Sequence, residues 1–268
     1  STVRVIPWAE QPTAQIIHDC YTGQGSAHPL SSRDTLRRIL KLYREKDLKP
    51  ILAPEMEFYI VQRNTNPRQV LIPPVGCSGR LETTRQSYSI DATNEFKPFI
   101  KALYDHSRAM KLDIGALIHE SGAAQFEINF MHGNALMMAD QVFIFKRIVR
   151  EVAMQHGMHA TFMAKPISDE PGSAKHIHQS IVSSKTGKNI FATKNGHYSD
   201  DFYHYLGGLQ HYSPACMSFY APNVNSYRRF SAAQSSPINL KWGYDNRTTG
   251  FRVPDASPNN YRIENRCP

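Results

Sequence analysis

The sequence predicts an α+β fold. Strand-like alternation of apolar and polar residues recurs along the chain, and helix-like spacing recurs between those stretches. The two do not follow the regular strand–helix–strand rhythm of a doubly wound parallel sheet. With 268 residues the chain is long enough for one large domain or a domain with an appendage.

Taken in order, Ser1–Cys20 reads as short strands: Val3 and Val5 alternate with Thr2 and Arg4, and Gln15-Ile16-Ile17 gives a second apolar run. Residues 21–30 carry two glycines and a proline and read as a linker. Ser31 or Ser32 can cap a helix with Leu36, Ile39, Leu40 and Tyr43 on one face, stopped before Pro50. A strand over Ile51–Ile60 follows, then a long polar loop through Ser87, then a helix from about Asn94 to Lys111. Ala123–Phe130 reads as a strand. Ala135–His156 is the longest helical pattern, with Gly157 placed to end it. His176–Val182 alternates again, a short helix is expected around Asp201–Tyr212, and strands with Pro- and Asn-containing turns fill the remainder. The last eight residues, Tyr261–Pro268, read as a strand with Arg262, Glu264 and Arg266 on one face.

Composition narrows the function classes. The net charge of +8 suits polyanionic partners, among them nucleotide phosphates. No Lys/Arg-rich block accompanies it, so no nucleic-acid patch is read. Cys20, Cys77, Cys216 and Cys267 lie far apart without Cys-x-x-Cys spacing, which argues for reduced thiols rather than structural zinc. Nothing resembles a signal peptide or a long apolar run, so a cytoplasmic location with no membrane partner is expected.

Charged residues at strand spacing point to chemistry. Glu55 and Glu57 stand at i and i+2 among Ala53, Met56, Phe58 and Ile60, an environment too apolar for a freely solvated edge. Glu127 repeats the pattern in Gln125-Phe126-Glu127-Ile128-Asn129-Phe130, where alternate positions are polar. Glu120 follows His119, and His176 and His178 form another i, i+2 pair. Exposed acidic faces and structural histidines are common readings for each motif taken singly. Together, Glu55, Glu57, Glu120, Glu127, Glu264 and His176 make an oxygen-rich ligand set suited to Mg²⁺ or Mn²⁺ rather than zinc. Arg228, Arg229, Arg247, Arg252 and Arg266 supply forks that match phosphate and carboxylate. Carboxylates for metals beside arginines for phosphates are the equipment of phosphoryl transfer. No Walker-type or kinase signature is present.

Six ordered segments carry a resemblance. They are Pro54-Glu55-Met56-Glu57-Phe58, His119-Glu120 through Glu127, Lys165-Pro166 through Ser180, Asn225-Ser226-Tyr227-Arg228-Arg229, Asn246-Arg247 through Pro254, and Arg262 through Arg266. In order and spacing they resemble the glutamine synthetase family, especially its branch joining glutamate to amines. The resemblance implies a catalytic domain over residues 23–268, with antiparallel strands and flanking helices, after the remnant of a small β-grasp domain over residues 1–22. It implies that Glu57, Glu120 and Glu127 hold one metal and that Glu55, His176 and Glu264 hold another. His178, Ser180 and Arg252 would serve ATP, Arg247 the phosphoryl group in flight, and Gly172, Arg229 and Arg266 the glutamate. The implied cofactors are two or more Mg²⁺ or Mn²⁺ ions, with ATP as co-substrate.

Two departures bear on the nucleophile. Pro171 stands where ammonia-using members carry Asn, and Ser235 where they carry Glu. A larger amine is therefore expected: a polyamine, ethanolamine or a monoalkylamine. A true glutamine synthetase using ammonia and a catalytically silent relative are the alternatives. The family further implies a ring-shaped homo-oligomer, the dodecamer among its forms. It also implies more β-grasp domain before Ser1 and a helical stretch after Pro268, so the chain is expected to be a fragment. Asn259 takes the place of a lysine that the family often carries near the nucleotide.

Overall fold

The computed structural model describes residues 2–230 and 236–268. A separate pair of two-residue strands comes first, β1 (Arg4–Val5) and β2 (Ala14–Gln15), antiparallel to each other. Helix α1 (Ser32–Glu45) starts at Ser31, whose hydroxyl accepts from the Asp34 amide, as its sequence position predicts. Arg33 on α1 forks to both carboxylate oxygens of Asp140 at 2.9 Å and also pairs with Asp19 at 2.6 Å. That network ties the N-terminal segment to the body of the chain.

Strand β3 (Leu48–Gln62) is longer than its apolar run predicts and forms the spine of a nine-stranded sheet. Helix α3 (Lys97–Ala109) fills the helix expected from about Asn94 to Lys111, and a short α2 (Ile90–Asn94), not expected, precedes it. Between them the chain leaves helical geometry at Phe96 (φ −116°, ψ 22°), and Pro98 sits in the first turn of α3, where its missing N–H has no intrahelical partner to lose. Then come β4 (Ile114–His119), β5 (Gln125–Phe130), β6 (Gly133–Asn134), α4 (Ala135–Gln155) and β7 (Met158–Thr161). Alternation did not flag β4 or β7; β4 carries a register irregularity between Ile114 and Leu117 that disturbs its period. Gly157 follows α4 at φ +70°, the left-handed geometry that favours glycine.

Strand β8 (Ile177–Ser183) precedes α5 (Asp200–Tyr220), which runs well past the expected end at Tyr212. The helix continues through Pro214, whose missing N–H forfeits one backbone bond without ending it. After α6 (Val224–Tyr227) the chain closes with β9 (Trp242–Tyr244), β10 (Phe251–Val253) and β11 (Ile263–Asn265). The sheet order is β4-β5-β3-β8-β11-β10-β9, with β6 and β7 also on β3. Its pairings are antiparallel except β9 with β10, which corrects the all-antiparallel expectation.

The two faces of the sheet separate apolar from polar. Met56, Phe58 and Ile60 of β3 pack with Phe126 and Ile128 of β5 against Phe99 and Leu103 of α3 and Ile144, Phe145 and Ile148 of α4. Ile181, Phe251, Val253 and Ile263 pack against Phe202 and Leu206 of α5. The alternate residues, glutamates and arginines among them, are turned to the other face. No helix among the described residues is long and apolar enough to cross a membrane.

Phe58 is fully buried, with ring centroids of Phe99, Phe126, Phe145 and Phe162 at 6.5, 6.1, 6.3 and 5.5 Å. Replacing it with Ala should destabilise the chain by about 3–5 kcal/mol in urea unfolding. A change below about 1 kcal/mol would show that these rings do not anchor the polar face behind Glu57.

Candidate active site

Strand register brings the sequence-predicted residues together. Across β3 and β5, Glu55 lies opposite Asn129 and Glu57 directly opposite Glu127. On the other side of β3, Ala53 faces His178 of β8, which faces Glu264 of β11, which faces Arg252 of β10. The result is a cavity of about 460 Å³. Its wall includes Glu55, Glu57, Glu120, Glu127, His176, Glu264, Gly172, Arg229, Arg247, Arg252 and Arg266. His178 lines a smaller cavity, which shares Glu55 and Asn129 with the first. Ser180 is half-buried and lines neither.

Two tight ligand groups stand out. One donor atom from each of Glu55, His178 and Glu264 lies within 4.8 Å of the others, and the same holds for Glu55, Glu127 and His176. His178 Nε2 is 2.7 Å from Glu55 Oε1, so this histidine sits with the carboxylates. His176 Nδ1 lies 3.2 Å from Glu55, 3.6 Å from Glu264 and 3.9 Å from Glu57. Glu57 and Glu120 line the cavity but belong to neither group.

The terminal strand departs from expectation in one pairing. Glu264 is fully buried and accepts from Arg252 Nη1 at 2.9 Å and from Arg266 Nη1. Arg262, expected as its second arginine, instead reaches His178 Nδ1 with its Nε at 3.2 Å. Register explains this, since Arg252 is the cross-strand neighbour of Glu264. Arg252 also binds Asp245. Arg229, 3 % exposed, donates to the carbonyls of Arg266 and Cys267 at 3.2 and 2.6 Å. Arg247 is exposed at the rim, with Nη1 3.5 Å from the Tyr88 hydroxyl.

The carboxylates divide electrostatically. Burial and the neighbouring charge of Glu120 push Glu57 up to about 7. Burial and the charges of Glu55, Glu57 and Glu120 push Glu127 to about 9. Burial also raises Glu120. Against its own burial, Glu55 is held well below the usual carboxylate range by hydrogen bonds with His176 and His178. Glu264 is likewise depressed despite burial, by His176 and the arginines. One end of the cavity thus holds carboxyls that cannot all ionise. Oxygen donors with imidazole, crowded enough to exclude one another's charge, fit a hard divalent cation.

Several residues of the site carried no chemical assignment in the sequence. Gln125, 1 % exposed, donates to Glu57 at 3.3 Å and to the Gly172 carbonyl at 2.9 Å, and accepts from the Gly122 amide at 3.0 Å. Its place on the polar side of the β5 alternation was the available signal, and Asn129 shares it. Arg85 and Tyr88 line the cavity from the irregular loop before α2, where no periodicity marks them. Gly172 is required by crowding: a Cβ there would stand 2.5 Å from Arg229 Cγ and 2.7 Å from the Ala164 carbonyl oxygen. Pro171 lines the wall, and its carbonyl accepts from the Tyr59 hydroxyl at 2.7 Å. Ser235, on which the amine expectation partly rests, lies outside the described residues.

Residues 29–268 match the family model for the glutamine synthetase catalytic domain. The chain is 35 % identical over 245 residues to gamma-glutamylputrescine synthetase PuuA of Escherichia coli K12, covering 90 % of this chain and 52 % of that protein. It is equally 35 % identical over 268 residues to a glutamine synthetase of Pyrococcus horikoshii, covering 100 % and 57 %. A solved structure of apo GmaS without ligand superposes with a TM-score of 0.83 at 27 % identity, covering all of this chain and 59 % of the other. The chain therefore spans somewhat over half the length of the proteins it matches.

The raised carboxyls make a pH-dependent expectation. Their folded values of about 7 and about 9 stand above the ordinary 4.5, so the folded state keeps protons that the unfolded state releases. Their contribution to stability is full below 4.5 and is lost as pH rises through 7 and 9. In chelator, the melting temperature should fall from pH 6 to 9, and the fall should be shallower in Glu127→Gln. Equal slopes in parent and variant would contradict the assignment.

Proposed function

The chain belongs to the glutamine synthetase family, and from that premise we propose that it joins the γ-carboxylate of glutamate to an amine at the expense of ATP. What carries the proposal is the buried Glu57–Glu127 cross-strand pair, with Glu120, in one cavity with Arg247, Arg252 and Arg266. Like charges directly opposite on adjacent strands destabilise a sheet, so the pair is better understood as a cation site than as packing. In this reading Glu57, Glu120 and Glu127 hold one Mg²⁺ or Mn²⁺, and Glu55, His176 and Glu264 hold another, with His178 beside it. Bound there, the ions neutralise phosphate and carboxylate charge.

The chain's own groups do the rest. Arg252 and His178 face the nucleotide phosphates, with Ser180 further along the strand. Arg252 exchanges its present contact with Asp245 for phosphate oxygens. Arg229 and Arg266 bind glutamate carboxylates, and the Gly172 backbone lines the glutamate pocket. Arg247, exposed at the rim, stabilises the γ-phosphoryl group as it passes from ADP oxygen to the γ-carboxylate oxygen. The resulting acyl phosphate has a leaving group that the original carboxylate lacks. The amine nitrogen attacks the acyl carbon, the C–O bond to phosphate breaks, and the nitrogen loses a proton. Closure over the cavity must exclude water, or the acyl phosphate is hydrolysed.

For the amine, Ser235 and Pro171 favour a nucleophile larger than ammonia: Ser235 replaces a Glu that helps bind and deprotonate ammonium in the ammonia-using branch, and Pro171 replaces the Asn which that branch carries just before the glutamate-pocket glycine. The even identity to an amine ligase and to a glutamine synthetase makes ammonia the second reading. A ring-shaped homo-oligomer in the cytoplasm completes the proposal.

ADP release with ATP, Mg²⁺ and glutamate across putrescine, ethanolamine, monoalkylamines and ammonia tests it. Turnover with an amine should exceed that with ammonia; ammonia matching or exceeding every amine would overturn the amine assignment. Arg247→Ala should lower kcat by about 100-fold or more with an unchanged melting temperature, because its contact belongs to the transition state. An unchanged kcat would remove Arg247 from the reaction.

A further inference from the structure

Behind the cavity wall lies an acid–imidazole pair that the reaction described above does not use. His119 ends β4 at 1 % exposure, and Glu82, from the long loop after β3, is 7 % exposed. His119 Nε2 is 2.6 Å from Glu82 Oε1, and Nδ1 is 2.7 Å from the Glu120 carbonyl oxygen. The ring is therefore fixed at both nitrogens, and Phe126 packs edge-on to it at 5.2 Å.

Glu82 reaches further than the imidazole. The same Oε1 accepts the Ala124 amide at 2.9 Å, and Ala124 sits at φ +54°, a left-handed conformation that a residue with a Cβ rarely adopts. Glu120 lies between these two anchor points. Its N–H donates to the Gln125 carbonyl at 2.8 Å while its own carbonyl faces His119. Both peptide groups flanking the Glu120 Cα are thus held, which sets the direction in which its side chain leaves the backbone. The rim loop is stitched to the same place: the Tyr88 amide donates to the His119 carbonyl at 2.9 Å, and the Ser87 hydroxyl to the Ser121 hydroxyl at 2.9 Å.

We propose that Glu82 and His119 are a positioning pair, aiming Glu120 at its metal and fixing the Arg85–Tyr88 rim to the same carboxylate. The proposal rests on the reading of Glu120 as a metal ligand. Stability alone is a poor reason for the pair, since a buried ion pair is often matched or bettered by apolar residues of the same volume. Groups that orient a ligand from behind typically matter 10- to 100-fold to metal affinity.

The test titrates Mn²⁺ into the parent, Glu82→Ala, Glu82→Gln and His119→Gln, following free Mn²⁺ by electron paramagnetic resonance alongside the melting temperature. The variants should bind Mn²⁺ at least about 10-fold more weakly at the Glu120 site. In turnover, the Mg²⁺ concentration for half-maximal rate should rise while kcat at saturating Mg²⁺ stays near the parent value. Glu82→Asp, which keeps the charge, should recover part of the affinity. If Glu82→Ala does not fold, Glu82→Gln carries the same comparison with its shape preserved. A folded variant that binds Mn²⁺ as tightly as the parent overturns the positioning role alone. A parent that binds no Mn²⁺ overturns the metal-site reading and this pair with it.

Discussion

Glu57 and Glu127 face each other across adjacent strands, each less than a tenth exposed, and neither ionises freely beside the other. A packed sheet has no use for such a pair. The register that creates it is enforced from behind, where Met56, Phe58, Phe126 and Ile128 alternate with the acids and fill the core against α3 and α4. Sliding either strand by one residue would exchange the acids for those apolar side chains. The hydrophobic face therefore holds the carboxylates together against their mutual repulsion.

The other half of the cavity is organised the opposite way. Glu55 is half-buried and Glu264 fully buried, yet His176, His178, Arg252 and Arg266 hold both below the usual carboxylate range. Carboxyls of one chemical type are pushed apart in acidity by their surroundings, raised at the Glu57–Glu127 end and lowered at the Glu264 end. Environments that split like groups in this way are a recurrent mark of functional sites. Spanning both ends, His176 touches Glu55, Glu57 and Glu264 from a single ring nitrogen.

Much of this was legible in the residues. Alternation around Glu55, Glu57 and Glu127 revealed both the strands and the face that would carry charge, because a two-residue period is a local property. The capped start of α1 and the glycine after α4 were equally local. What escaped was set by tertiary pairing. The second arginine on Glu264 is Arg252 from a neighbouring strand rather than Arg262 from its own, which only the β10–β11 register decides. Pro98 in the first turn of α3 and Pro214 inside α5 show one residue type at home at a helix start in one context and tolerated within a helix in another. Glu82, Arg85 and Tyr88 lie in irregular backbone with no period to announce them.

The whole account depends on the acids and imidazoles holding divalent cations at two places in one cavity. Anomalous scattering from crystals grown with Mn²⁺ addresses that directly. The account expects one peak bounded by Glu57, Glu120 and Glu127 and a second by Glu55, His176 and Glu264. Anomalous density confined to other surfaces would contradict it.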